Sequence, residues 1–187
     1  MKTGTIKIIK KAAGVLLIFL LLIYLYTLLH EGGHALIGIM YGGRIDSFTL
    51  GFNAHVTISG ANYTRTGESL LNSAGVLLPV ICMSFALKFY NRNIKNSVYH
   101  YIYAGMSVGI TGSLFAWMAI PIISLFAEPP AGDDVSKFLE VSGVNPLLIS
   151  LIALLLVGMI VLISYKKGMY SKVIEEKSAD RLNTEYH

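Results

Sequence analysis

The stretch Ala12 to Leu29, eighteen consecutive residues without a charge, constrains this chain more than any other feature. At about 1.5 Å of rise per residue, a helix of that length nearly matches the ~30 Å hydrocarbon layer of a bilayer. Three more charge-free runs follow, Ser69 to Leu87, Ser97 to Ala127 and Val141 to Tyr165. With 54% hydrophobic and 14% charged residues in a chain of 187, the composition excludes a typical soluble domain. The reading is a single integral membrane domain, residues 1–187, with about four transmembrane helices. The first run is expected to be retained and not cleaved as a signal peptide, because Tyr24-Leu25-Tyr26-Thr27-Leu28 offers no small-residue cleavage site.

Helices are expected over about 12–41, 69–88, 97–127 and 143–165. Gly42-Gly43 ends the first. From about 44 to 62 the period changes to two: Phe48, Leu50 and Phe52 alternate with Ser47, Thr49 and Gly51, and Val56 and Ile58 with Thr57 and Ser59. That pattern predicts a small β-hairpin, so the fold class is all-α membrane protein with one hairpin. Pro79 falls inside the second run, and Pro121 is expected to break or kink the end of the third. Gly105 and Gly109, four apart, predict a close helix-packing face. Glu128 to Glu140 reads as a polar loop, and residues 166–187 as a charged, partly disordered cytoplasmic tail.

A net charge of +4 can indicate nucleic acid, but here the basic residues sit at the ends of apolar runs. Four lysines precede the first run, Lys88, Arg92 and Lys95 separate the second from the third, and Lys166, Lys167, Lys172, Lys177 and Arg181 follow the fourth. The other two connections hold only Arg44, Arg65 and Lys137. By the positive-inside rule this predicts a multi-pass protein of the plasma membrane with both termini cytoplasmic, and no nucleic-acid partner. The single cysteine, Cys82, permits no intramolecular disulfide and reads as a packing residue. Oligomeric state is not encoded in any pattern we can read.

Into this apolar background the chain sets His30-Glu31-Gly32-Gly33-His34, after which Ala35 to Tyr41 resumes the apolar pattern. Residues four apart on a helix share a face, so the two imidazoles can grip one ion. Zn²⁺ accepts nitrogen and oxygen ligands tetrahedrally, and a catalytic site leaves one position open. Glu31, beside the pair, is the candidate general base for an attacking water. Charged groups at membrane depth cost about 2.5–3.5 kcal/mol on insertion scales, which a bound dication offsets. The bland alternative is a structural polar cluster, or a helix that stops at Leu29 and leaves these residues wet.

Two histidines need a third ligand, and Asp133 and Asp134 are available. Counting a helix from Asp134 places Phe138 and Leu139 at +4 and +5, whereas Asp133 has Lys137 at +4, which favours Asp134 with Asp133 as the alternative. Either aspartate can instead cap a helix. Asn72 is a candidate for contact with a developing oxyanion or the substrate, against helix packing as the other reading. His55 is expected to face solvent, His100 lies near a cytoplasmic end and His187 in the tail. Trp117, Tyr24 and Tyr26 read as packing or lipid-facing aromatics.

The segment His30-Glu31-Gly32-Gly33-His34-Ala35, then Gly42-Gly43, a β segment, Asn72-Ser73-Ala74-Gly75-Val76-Leu77-Leu78-Pro79 and a late Gly132-Asp133-Asp134 together resemble the site-2 protease family of intramembrane zinc metalloproteases. The likeness spans about residues 15–145, and departs from the common pattern in lacking an Asp-Gly pair and in Val76, where proline is frequent. The resemblance implies a zinc metalloendopeptidase, with one Zn²⁺ per chain, that hydrolyses peptide bonds of membrane-embedded protein or peptide segments. The hairpin edge is then either a strand-pairing site for unwound substrate or a cap over the site. The competing function is a non-enzymatic membrane metal-binding or transport protein with the same ligands, and a third is a structural helical subunit.

Overall fold

The computed structural model describes residues 2–175 and is mostly helical, with one two-stranded antiparallel sheet. Helix α1 runs from Lys2 to Met40, β1 from Arg44 to Thr49 and β2 from His55 to Ser59. Then come α2 (Arg65–Phe89), α3 (Ser97–Ile123), α4 (Asp134–Ser142) and α5 (Pro146–Lys166). Four of these, α1, α2, α3 and α5, are long and apolar enough to cross a membrane. Leu16, Leu17, Ile81, Phe85 and Leu155 on their outer faces are exposed, the pattern of a bundle solvated by lipid.

The helix ends follow from local chemistry. Thr64 accepts from the amide of Gly67 to open α2, and Asn96 accepts from those of Val98 and Tyr99 to open α3. Asn145 caps α5 with Pro146 at its first turn, where a missing N–H costs nothing. Pro79 is accommodated inside α2, while α3 ends at Ile123, two residues after Pro121 and four short of the expected end.

The bundle packs α3 on α5 and α1 on α2. Leu87, Ile110, Leu114, Ile160 and Met169 form its fully buried centre. Ser150 donates to the carbonyl of Met118 at 2.8 Å, and Ser107 lies 3.2 Å from the Ser164 hydroxyl, so α3 and α5 are joined by small polar residues. Gly105 is a close-packing position, since a Cβ there would collide with Leu22 of α1, but Gly109 faces open space. Only half of the expected glycine face is thus an interface.

Further differences from the sequence-based expectation are that α1 starts ten residues earlier, at Lys2, and that two segments outside the expected helices are folded. The segment read as a polar loop contains α4, whose Val135 is buried and whose Phe138 ring packs edge-on against Trp117 at 5.3 Å. The tail also begins folded: Met169 is fully buried and the Tyr170 hydroxyl lies 2.8 Å from Ser107, while residues 176–187, including His187, fall outside the described residues.

The hairpin does not project beyond α1 but doubles back along it. Ile58 seats against Gly38 and Gly43, and at the other end the amide of Gly51 donates to Thr27 at 3.3 Å beside the Tyr24 ring. Those contacts place the hairpin along roughly 20 Å of the first span, by the helical rise. His30 and His34 lie between the two contact points.

Candidate metal centre

His30 and His34 project from one face of α1, one turn apart. Their Nε2 atoms are 3.3 Å from each other, and Asp134 Oδ2 lies 3.3 Å from the first and 3.2 Å from the second. A tetrahedral ion with ligands at about 2.0–2.1 Å separates neighbouring ligand atoms by about 3.3–3.4 Å. The three atoms therefore form one face of such a tetrahedron, and the group can hold a metal ion.

The surroundings prepare these atoms for coordination. His34 Nδ1 lies 2.8 Å from the carbonyl of Leu71, which can only accept, so Nδ1 carries a proton and Nε2 is the nitrogen left to face Asp134 and an ion. His30 Nδ1 is 3.5 Å from the Tyr26 hydroxyl, which in turn bonds Ser113 of α3. Each imidazole is thus oriented through its other nitrogen.

Helix α2 approaches closely enough to provide that carbonyl because two glycines line the crossing. A Cβ on Gly33 would overlap the carbonyl of Ala74. One on Gly75 would stand 2.5 Å from His34 Nε2 and 2.6 Å from His30 Cε1, so only glycine leaves the imidazoles their places.

The neighbouring aspartates divide two tasks. Asp133 caps α4, accepting from the amides of Val135 at 2.9 Å and Ser136 at 3.1 Å, and also from the Ser136 hydroxyl. Asp134, the first residue of the helix, turns to the histidines. Burial alone would raise its carboxyl pKa, but hydrogen bonds from His30 and His34 and their charges outweigh that and hold it well below the usual carboxylate range.

Glu31 is 7% exposed, and its carboxylate has no hydrogen bond or ion pair among the described residues. Among the described residues the sealed side-chain atoms without a partner are Tyr63 Oη and Thr111 Oγ1, so the Glu31 oxygens are not sealed in and are open to a group from outside the chain. Asn72 is buried on α2, one residue past Leu71, and its amide makes no hydrogen bond to the triad or to any other described residue. His55 lies outside the site, exposed and 3.1 Å from the carbonyl of Asn53. So does His100, fully buried between the Tyr90 hydroxyl at 2.9 Å and the carbonyl of Ile94 at 2.7 Å.

Sequence reasoning missed Tyr26, Ser113, Gly75 and the Leu71 carbonyl as parts of the site. Tyr26 had a readable signal, standing four residues before His30 on the same helical face. Comparison of the chain with protein-family models, characterised proteins and solved structures found no match.

Proposed function

We propose that the chain is an intramembrane zinc metalloprotease of the site-2 type, hydrolysing peptide bonds in membrane-embedded segments of other proteins. One observation carries the reading: two imidazole nitrogens and a carboxylate oxygen form a tetrahedral face next to Glu31, whose carboxylate makes no hydrogen bond or ion pair among the described residues, and both histidines and Glu31 stand on a helix long and apolar enough to span a bilayer.

His30, His34 and Asp134 would hold the ion, one per chain. Bound there, Zn²⁺ supplies Lewis acidity toward the scissile carbonyl and makes water a stronger acid. Glu31 takes the proton as water attacks the carbonyl carbon, then delivers it to the amide nitrogen as the C–N bond breaks. The Leu71 carbonyl and Tyr26 hold the imidazoles in their orientation throughout. The Asn72 amide, which makes no hydrogen bond among the described residues, is a donor available to the developing oxyanion or to the substrate backbone.

The substrate must be extended to expose a peptide bond, since a helix buries its carbonyls in its own ladder. The hairpin lies along α1 at the depth of the histidines, and a free strand edge there offers the pairing groups an unwound segment needs. The basic clusters orient both termini to the cytoplasm of a plasma membrane.

Glu31→Gln tests the reading. The variant should retain zinc and lose cleavage of a membrane substrate. A chain that binds zinc through the same ligands but cleaves no membrane segment is a metal-binding or transport protein instead.

A further inference from the structure

Asp134 belongs to a nine-residue helix that does not span the bundle and has no covalent tie to α1 or α2 within it. Its position is set at three heights. Asp134 meets His30 and His34, Phe138 meets Trp117 of α3, and Val141 and Ser142 meet Arg65, the first residue of α2. Helix α4 therefore runs antiparallel to α2, from the level of the histidines back to the start of α2.

The last of these contacts is specific. Arg65 Nε donates to the carbonyl of Val141 at 2.7 Å and Nη2 to that of Ser142 at 3.0 Å. These are terminal carbonyls of α4, left without intrahelical partners, at the negative end of the helix dipole. The chain then turns through Gly143 at φ +66°, where a Cβ would stand 2.6 Å from Nη2. A side chain at 143 would be strained by the backbone and would also displace the guanidinium.

We propose that Arg65 is a positioning residue for the metal centre, docking the far end of α4 on α2 so that Asp134 reaches the histidines. The inference rests on the reading of His30, His34 and Asp134 as a metal site. Arg65 acts from outside the cluster, one helix length from Asp134. Two of the ligands sit on α1, which α2 grips directly. The third sits on a short helix whose register against α2 is fixed by this fork.

The test uses the purified full chain in nanodiscs, with Zn²⁺ affinity measured by chelator competition. Arg65→Ala should weaken binding about 10- to 100-fold, the range for groups that orient ligands. Arg65→Lys, which keeps the charge and one reaching donor, should fall between that variant and wild type. In an Asp134→Ala background, Arg65→Ala should change affinity by less than about 2-fold, because there is no third ligand left to position. Hydrogen exchange on the zinc-free protein is the second readout: Arg65→Ala should speed exchange in α4 about tenfold and leave α2 and α5 unchanged. Equal loss of affinity in both backgrounds, or unchanged affinity and exchange, would overturn the inference alone. A wild-type chain that binds no zinc would overturn the metal-site reading and this inference with it.

Discussion

His34 of α1 hydrogen-bonds through Nδ1 to the backbone carbonyl of Leu71 in α2, at 2.8 Å. This one contact joins helix packing to ligand chemistry. It chooses the tautomer, and it can form only because α1 and α2 cross closely enough for a backbone carbonyl to reach a side chain. In the zinc-loaded protein, ¹⁵N NMR should show His34 protonated at Nδ1 and coordinated through Nε2. The reverse tautomer would contradict the geometry.

Gly75 guards the same crossing from the other side. Gly75→Ala should lower zinc affinity about 100-fold, the upper end for residues that orient ligands, because its methyl would occupy the space of the two imidazoles. Gly109→Ala, at a position with nothing within 4 Å, should leave affinity unchanged. Chelator competition on the two variants side by side checks the contrast.

The two aspartates should separate cleanly. Asp133→Ala removes the α4 cap and should cost about 1 kcal/mol of stability while retaining the metal. Asp134→Ala should be zinc-free as purified, keeping only the weak affinity of the two histidines, and should change zinc-free stability less. Metal analysis together with denaturant unfolding of both variants decides it, and loss of zinc in Asp133→Ala at wild-type stability would reverse the assignment.

Gly33→Ala tests the crossing itself. Its methyl meets the Ala74 carbonyl, which is backbone and cannot rotate away, so a destabilisation of about 1–3 kcal/mol is expected. Unfolding in detergent, with Gly109→Ala as the neutral comparison, measures it.

Much of this was legible in the amino-acid order. The four apolar runs, the change to period two at Phe48 to Phe52 and the histidines at 30 and 34 are patterns along the chain, and local patterns survive folding. The preference for Asp134 over Asp133 came from the apolar residues four and five positions on, the same periodicity that packs Phe138 on Trp117. What the chain order hid depends on pairs distant in sequence. A carbonyl like that of Leu71 is supplied by any residue, so no side-chain pattern announces it. Gly75 is distinguished only by what lies opposite. The fold-back of the hairpin rests on Ile58 meeting Gly38 and on Gly51 reaching Thr27, contacts that no period reveals. Helix α4 was only half legible: counting from Asp134 gave its apolar face, but the ten residues between Gly132 and Gly143 otherwise look like a polar loop until Val135 is seen to be buried.

The most direct test of the central claim compares wild type with Glu31→Gln on two quantities, zinc per chain and cleavage of a reconstituted transmembrane peptide. The account predicts one zinc in each and at least about a 1,000-fold slower cleavage by the variant, the scale of removing a general base. Chelation should abolish the wild-type activity and zinc should restore it. Cleavage at the wild-type rate by Glu31→Gln would contradict the account.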